Sequence, residues 1–267
     1  MKLISFDIKA DFGMLKKPDT NEPVYLTFNM LHKPALLGIL GAIAGLKGFQ
    51  KNGELPEYYE KLKNVQVGIM PLPKDENSEI SYHENGNFTK TIIKYNNTTG
   101  LASEEAGGNL MVAEQTLISP AFRCFVLLDE TIDEQKKLID YLINYQSEFV
   151  PYLGKNDCSL WWENAKELDF SEFKPDGSFK IDSLFVKEEA VKDSKVDEAL
   201  FDILMDSPEG NTFSYFENLP ASYLGAPLFQ YEFRNFAFTD WDLKFKKKTG
   251  LRYIQLKTGN HEVIQLF

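Results

Sequence analysis

Residues 34–49 read PALLGILGAIAGLKGF, and their reading decides the fold. The thirteen positions 34–46 carry no charged or polar side chain. Pro34 suits the first position of a helix, where a missing N–H costs nothing. The run is too short to cross a bilayer, so the helix is expected to be buried in protein. Gly38, Gly41 and Gly45 fall in one narrow sector of it, and Ala35 and Ala42 widen that sector with small side chains. Each interior glycine costs about 1 kcal/mol relative to alanine, so the spacing predicts close approach to a sheet or to another backbone. Leu36, Leu37, Leu40 and Ile43 then need cover on the opposite side, which takes a good deal of protein.

Upstream, Ile4, Phe6 and Ile8 alternate with Ser5, Asp7 and Lys9, the pattern of a strand with one buried face. Residues 10–33 form a long polar connection with Lys16-Lys17-Pro18 and Asn21-Glu22-Pro23, interrupted by a short strand at 24–28. Connections of that length are usually working loops. Downstream, Val65, Val67 and Ile69 alternate as a strand that ends at Pro71 and Pro73. A strand at 88–95 leads into a turn-rich excursion at 96–109. Strands at 110–118 and 122–128, separated by Pro120, are expected to frame a projecting hairpin around that excursion. Residues 131–149 read as a helix, with Thr131 and Glu134 as a capping box and Leu138, Ile139, Leu142 and Ile143 at helical spacing. Strand, helix, two or three strands and a second helix make an α+β unit, a ferredoxin-like core on an antiparallel sheet.

That core is expected over residues 1–150, and a C-terminal, β-rich extension over 151–267. The extension opens with Leu153-Gly154-Lys155 and the pair Trp161-Trp162. Residues 163–209 hold fourteen acidic and six basic groups and read as a surface segment with a short helix around 198–205. Trp241, Leu243 and Phe245 alternate with Lys244 and Lys246, and Lys248 continues the basic set. Residues 251–256 and 262–267 flank Gly259-Asn260 as a terminal hairpin.

The net charge of −11 argues at first against nucleic acid, which leans on lysine and arginine. Its distribution weakens that objection. Residues 1–50 hold six basic against four acidic groups and residues 231–267 seven against four, so both ends are basic and the middle is acidic. A sheet that joins the ends would create a local positive surface on an acidic protein. Cys124 and Cys158 make neither a disulfide framework nor a zinc site, and the N-terminus lacks the apolar core of a secretory signal, so a cytoplasmic protein without membrane contact is expected.

The chain has no phosphate-binding GxxxxGK[ST], no HExxH, no GxSxG and no CxxC, and its three histidines stand far apart. No metal and no cofactor are expected. A polyanion site is the stronger reading. Lys16, Lys17, His32 and Lys33 flank the first long loop, and Arg123, Arg234, Lys244, Lys246, Lys248 and Arg252 lie on expected strands, each able to meet a phosphate. Phe12, Phe28, Phe122 and Trp161 are the aromatics able to stack on a base. A metal-independent ribonuclease built on His32, Tyr25 and Lys33 is the competing reading, and a purely structural assembly role is a third.

The motifs also carry a resemblance. Ile4-Ser5-Phe6-Asp7-Ile8-Lys9-Ala10-Asp11-Phe12-Gly13, Lys17-Pro18 and the run from Pro34 to Gly45 come first in the chain. Glu114-Gln115-Thr116-Leu117, Pro120-Ala121-Phe122-Arg123-Cys124-Phe125, Tyr152-Leu153-Gly154-Lys155 with Cys158, and Leu219-Pro220 follow. As a set, covering about half the chain in separated blocks, they resemble the CRISPR-associated RAMP subunit that grips the 5′ handle of guide RNA in type I effector complexes, in its type I-B form. The resemblance implies a ferredoxin-like or RRM-like core whose thumb occupies 96–117. It also implies noncatalytic binding of the handle and capping of the row of backbone subunits. Guide RNA, backbone subunits and the large effector subunit would be direct partners, with target DNA met through the complex. Lys17 and Arg123 match the family's basic residues, Lys155 joins the expected RNA contacts, and Gly38, Gly41, Gly45 and Gly154 match its structural glycines.

Overall fold

The computed structural model describes residues 1–18, 23–72, 84–97, 110–175, 178–187, 213–244, 251–257 and 259–267. The tip of the expected thumb, the helix expected around 198–205, and Lys246 and Lys248 lie outside them.

Six elements form the core: β1 (Lys2–Ala10), α1 (Lys33–Ala44), β2 (Gln66–Pro71), β3 (Ala121–Leu128), α2 (Asp133–Ile143) and β4 (Leu160–Leu168). The sheet order is β2-β3-β1-β4, with every neighbouring pair antiparallel. The fold is mixed α+β, dominated by antiparallel sheets with few short helices, and this path is consistent with a ferredoxin-like core. β4, which completes the sheet, lies beyond Pro151, and Trp162 on it donates its indole N–H to the Leu142 carbonyl at the end of α2 (3.0 Å).

The alternation in β1 sends Ile4, Phe6 and Ile8 toward the helices, where Leu36, Leu37, Leu40, Ile43, Leu138 and Leu142 cover them. The opposite face is not solvated as a one-sided strand requires. Leu3, Phe125 and Leu127 pack there against Ile254, Leu256, Ile264 and Leu266 of a second sheet, built from Phe170–Glu172, Arg252–Leu256 and Val263–Leu266. Gly68 on β2 permits this closure, because a Cβ there would stand 2.6 Å from Ile264 Cγ2.

α1 begins around Pro34 as expected, with Pro34 in the first turn, and its N-cap is His32. It ends at Ala44, with Gly45 as its C-cap, rather than running to Leu46. Gly45 takes φ 82°, a left-handed cap that side-chain-bearing residues resist, and so it is a terminator and not part of the packing stripe. Gly41 does allow a close approach, but to Tyr58 of the helix Glu57–Leu62 rather than to a sheet, and a Cβ on it would overlap Tyr58 Cβ; a Cβ on Gly38 would meet the Tyr58 ring at an ordinary 3.7 Å.

The expected capping box of the second helix is absent. Ile132 is the N-cap and makes no side-chain bond, while Thr131 donates through N–H (3.0 Å) and hydroxyl (2.7 Å) to Asp129 Oδ1. The short Asp129 side chain competes for the threonine before the helix can use it.

The strand Leu110–Ile118 has its expected bounds but a different partner. It pairs with Lys90–Asn97, and Ala121–Leu128 instead enters the core between β1 and β2. Phe12–Gly13 and Val24–Tyr25 join Leu110–Ile118 as well. A long hairpin pairs Ser214–Tyr223 with Tyr231–Thr239, the second strand carrying Arg234 as expected, and Leu219, Phe236 and Phe238 tie it to the main core. Of the strand expected at Trp241 to Phe245, Leu243–Lys244 pairs with Ser178–Phe179, and Trp241 and Leu243 are buried as expected, while Phe245 lies outside the described residues.

Candidate nucleic-acid interface

The sheet face away from the helices is mostly committed. The terminal sheet covers part of it, and on the remainder Arg123 donates from Nε to Asp7 Oδ1 (2.7 Å) and from Nη2 to Asp7 Oδ2 (2.9 Å). Asn164 Nδ2 adds a third bond to the same carboxylate (3.0 Å), and Lys9 pairs with Glu163. Asp7 is 2% exposed, so the guanidinium neutralises a buried charge, and its hydrogen bonds to that carboxylate hold its own pKa above the ordinary value. Arg252 is engaged in the same way by Glu172 and by Gln66 Oε1 (3.0 Å).

The lysines diverge as well. Lys17 Nζ lies 3.4 Å from Glu217, whose carboxylate also accepts the Asn29 and Met30 N–H groups (each 3.1 Å at its closest). Lys155 is held by Glu114 (2.6 Å) and Asp157 (2.9 Å), with its ammonium over the Tyr95 ring. Lys33 Nζ donates to the Phe267 main-chain oxygen (3.0 Å), and burial lowers its pKa to about 8. Arg234 sits half-buried on the long hairpin opposite Leu219, and Lys244 opposite Ser178. Lys16 is exposed, its ammonium 3.6 Å from the Tyr25 ring centroid. No hydrogen bond joins Tyr25, His32 and Lys33 among the described residues.

What the fold brings together is a groove of about 590 Å³ along the outer side of α1. Its floor is made of small residues, Ala35, Gly38 and Ala42, so a flat group could lie close to the helix backbone. Its walls carry Phe49, Tyr58, Phe149, Tyr152, Tyr223 and Tyr231, with Lys16 and Lys47 also lining it. Phe49 is 61% exposed, Phe149 53% and Tyr152 46%, unusually open for rings gathered around one cavity. No aspartate or glutamate lines the groove among the described residues, in a chain whose net charge is −11.

Each wall is placed by local backbone chemistry. The Glu148 and Phe149 N–H groups donate to the Ile43 and Ala42 carbonyls (each 3.1 Å), satisfying the end of α1 and swinging Phe149 over it. Gly154 takes φ 87° and lies so close to Met14 that a Cβ would overlap the Met14 carbonyl oxygen. With Met14 N–H bonded to the Leu153 carbonyl (3.1 Å), this contact sets Tyr152 at the rim. Tyr223 and Tyr231 stack at 4.8 Å, and the Tyr223 N–H donates to the Tyr59 hydroxyl (2.8 Å).

His32 lies beneath them. Its Nδ1 accepts the Ala35 N–H (3.3 Å), its ring meets Phe28 and Tyr231 edge-on, and it is 4% exposed. Burial lowers its pKa to about 3, so the expected phosphate contact is instead a neutral helix cap.

Thus Lys16, His32, Gly38 and Gly154 are brought to one groove. Of the expected stacking aromatics, Phe28 and Phe122 are core, while Phe12 and Trp161 are each 45% exposed but line no part of it. Sequence reasoning missed Lys47, Phe49, Tyr58, Phe149, Tyr223 and Tyr231. Only Tyr152, beside the Leu153-Gly154 motif, carried a signal.

Among the described residues no cluster of three or more metal-ligating side chains occurs, and no helix is long and apolar enough to cross a membrane. No protein-family model matches the chain, and none of the curated proteins matches it. Among solved structures, it aligns with a CRISPR protein from Archaeoglobus fulgidus over 99% of this chain and 98% of that one, at 13% identity and a TM-score of 0.45. A chain of a CRISPR RNA-guided surveillance complex aligns over 92% and 94%, at 12% identity and a TM-score of 0.44. A chain of the type III-B Cmr-beta complex bound to cognate target RNA aligns over 91% and 86%, at 10% identity and a TM-score of 0.43. At that level of likeness, function rests on the chain's own residues and surface.

Proposed function

We propose that this chain is a noncatalytic RNA-binding subunit of a type I CRISPR interference complex, holding the 5′ handle of the guide RNA and capping the row of backbone subunits. The observation that carries the RNA reading is the groove on α1. Among the described residues, six aromatic rings and two lysines surround it without one acidic side chain, the combination by which proteins hold single-stranded nucleic acid. Lys16 and Lys47 neutralise phosphates, while Phe49, Phe149 and Tyr152 stack on bases. Handle, complex and type I-B form follow from the motif resemblance. In this reading the RRM-like core carries the hairpin Lys90–Asn97 with Leu110–Ile118 as its thumb, directed at the adjacent backbone subunit. Lys246 and Lys248 are further phosphate contacts. The acidic middle of the chain faces protein neighbours, including the large effector subunit, or solvent, because acids set against RNA would be repelled.

The test is copurification of the chain with candidate backbone subunits and guide RNA, with and without the 5′ handle. Retention of uncut guide RNA that requires the handle, and that falls at least tenfold in the Lys16→Glu, Lys47→Glu double variant, is expected. Equal assembly without a handle, or unchanged retention in the double variant, refutes the proposal.

A further inference from the structure

Three tyrosine hydroxyls gather on the groove. Tyr58, Tyr223 and Tyr231 all line it, and each is half-buried. The Tyr58 hydroxyl reaches the floor, 3.8 Å from where a Cβ on Gly38 would stand. Tyr58 hydrogen-bonds the Tyr223 side chain, whose hydroxyl donates in turn to the Tyr231 hydroxyl (3.4 Å). The Tyr223 and Tyr231 rings stack at 4.8 Å, and the Tyr223 main-chain N–H is tied to the Tyr59 hydroxyl, so packing and backbone hold the row in place. Burial raises the pKa of Tyr58 and of Tyr223 above the ordinary value, so both keep their protons at neutral pH. Each hydroxyl carries one hydrogen and two lone pairs, and three hydroxyls joined by two bonds therefore keep one hydrogen and spare lone pairs in reserve. Because every O–H rotates, the row can offer that reserve as a donor or as an acceptor.

We infer that this row bonds the ribose 2′-hydroxyl of a nucleotide lying in the groove, so that the groove prefers RNA to DNA. This rests on the RNA reading above and names Tyr58, Tyr223 and Tyr231 as specificity-determining residues within it. A single strand presents phosphates, base faces and sugars. Its phosphates are met by Lys16 and Lys47, and its base faces by the open rings of Phe49, Phe149 and Tyr152. The sugar hydroxyl remains, donor and acceptor at once, and its natural counterpart is a neutral hydroxyl that is both as well. A phosphate gains more from a lysine, where the hydrogen bond is charge-assisted, than from this row. The small side chains of the floor leave room for a sugar beside the Tyr58 hydroxyl, and the 2′-hydroxyl is the group by which a protein tells RNA from DNA.

The probes are a ten-nucleotide single-stranded RNA of mixed sequence and a DNA strand with the same bases, uracil included. Each is titrated against the full-length chain by fluorescence anisotropy at one salt concentration. The RNA is expected to bind about threefold to tenfold tighter, the range of one hydrogen bond. The Tyr58→Phe, Tyr223→Phe, Tyr231→Phe triple variant keeps the rings and removes the whole row, so no hydroxyl of the row is stranded without its partner. The preference for RNA is expected to vanish in that variant, and Tyr231→Phe alone is expected to reduce it where the triple variant does not fold. Equal affinities in the wild type, or a full preference surviving in the variants, overturn the inference and leave RNA binding standing. A wild-type chain that binds neither strand refutes the RNA reading and this inference with it.

Discussion

Acidification from pH 7 to pH 5 is expected to destabilise the wild-type chain by about 2 kcal/mol more than a His32→Asn variant. The buried imidazole has a pKa of about 3 against an ordinary 6.5, so between those values the unfolded chain takes up a proton that the folded chain refuses. Stability contributed by the neutral ring is therefore full above about pH 6.5 and is lost progressively as pH falls. At pH 5 the unfolded histidine is protonated about thirtyfold over neutral and the folded one hardly at all, which is worth about 2 kcal/mol. Asparagine preserves an acceptor for the Ala35 N–H and does not titrate, so it isolates the ring's protonation from the cap. Its lost packing against Phe28 and Tyr231 lowers stability at both pH values and cancels in the difference. Urea titrations of both proteins at pH 7 and pH 5 give the four free energies required. The carboxylates that also respond in this range are common to both chains. Equal losses in wild type and variant would show that the folded ring protonates freely, and would refute the burial argument.

Arg123→Ala strands the Asp7 carboxylate, 2% exposed, with Asn164 as its remaining side-chain partner. A loss of about 3 kcal/mol in a urea titration is expected, at the low end for a broken buried pair because the guanidinium is one-third exposed. Guide-RNA retention per folded molecule should be unchanged, and a fall in retention without a fall in stability would return Arg123 to the RNA. Gly154→Ala forces a left-handed alanine into the Met14 carbonyl and should cost at least about 2 kcal/mol, while Gly48→Ala, with nothing within 4 Å, should stay within about 0.5 kcal/mol of wild type. Thermal melts that fail to separate the two alanine variants would show that the Leu153-Gly154 contact does not hold the loop.

Much of the fold was legible in local pattern. The alternation of β1, the start of α1 around Pro34, the bounds of Leu110–Ile118 and the terminal hairpin follow from side-chain period and turn chemistry. Such features depend on torsions and neighbours within a few residues, which any reader of the chain possesses. The glycines of α1 announced a close approach but not its partner, since small size says only that something is near. Arg123 read as a phosphate ligand because Asp7, 116 positions earlier, faces it only once β1 and β3 pair in register.

The candidate site illustrates the same division. By itself the sequence determined an acidic α+β protein with basic ends, a small-faced buried helix and no familiar catalytic motif. Only the tertiary structure decided that rings from residues 49, 58, 149, 152, 223 and 231 converge on that helix beside Lys16 and Lys47, with no acid lining the groove among the described residues. Composition counts every aromatic alike. Which of them stay open around one cavity depends on where backbone bonds such as Phe149 to Ala42 and Met14 to Leu153 anchor segments that are distant in the chain.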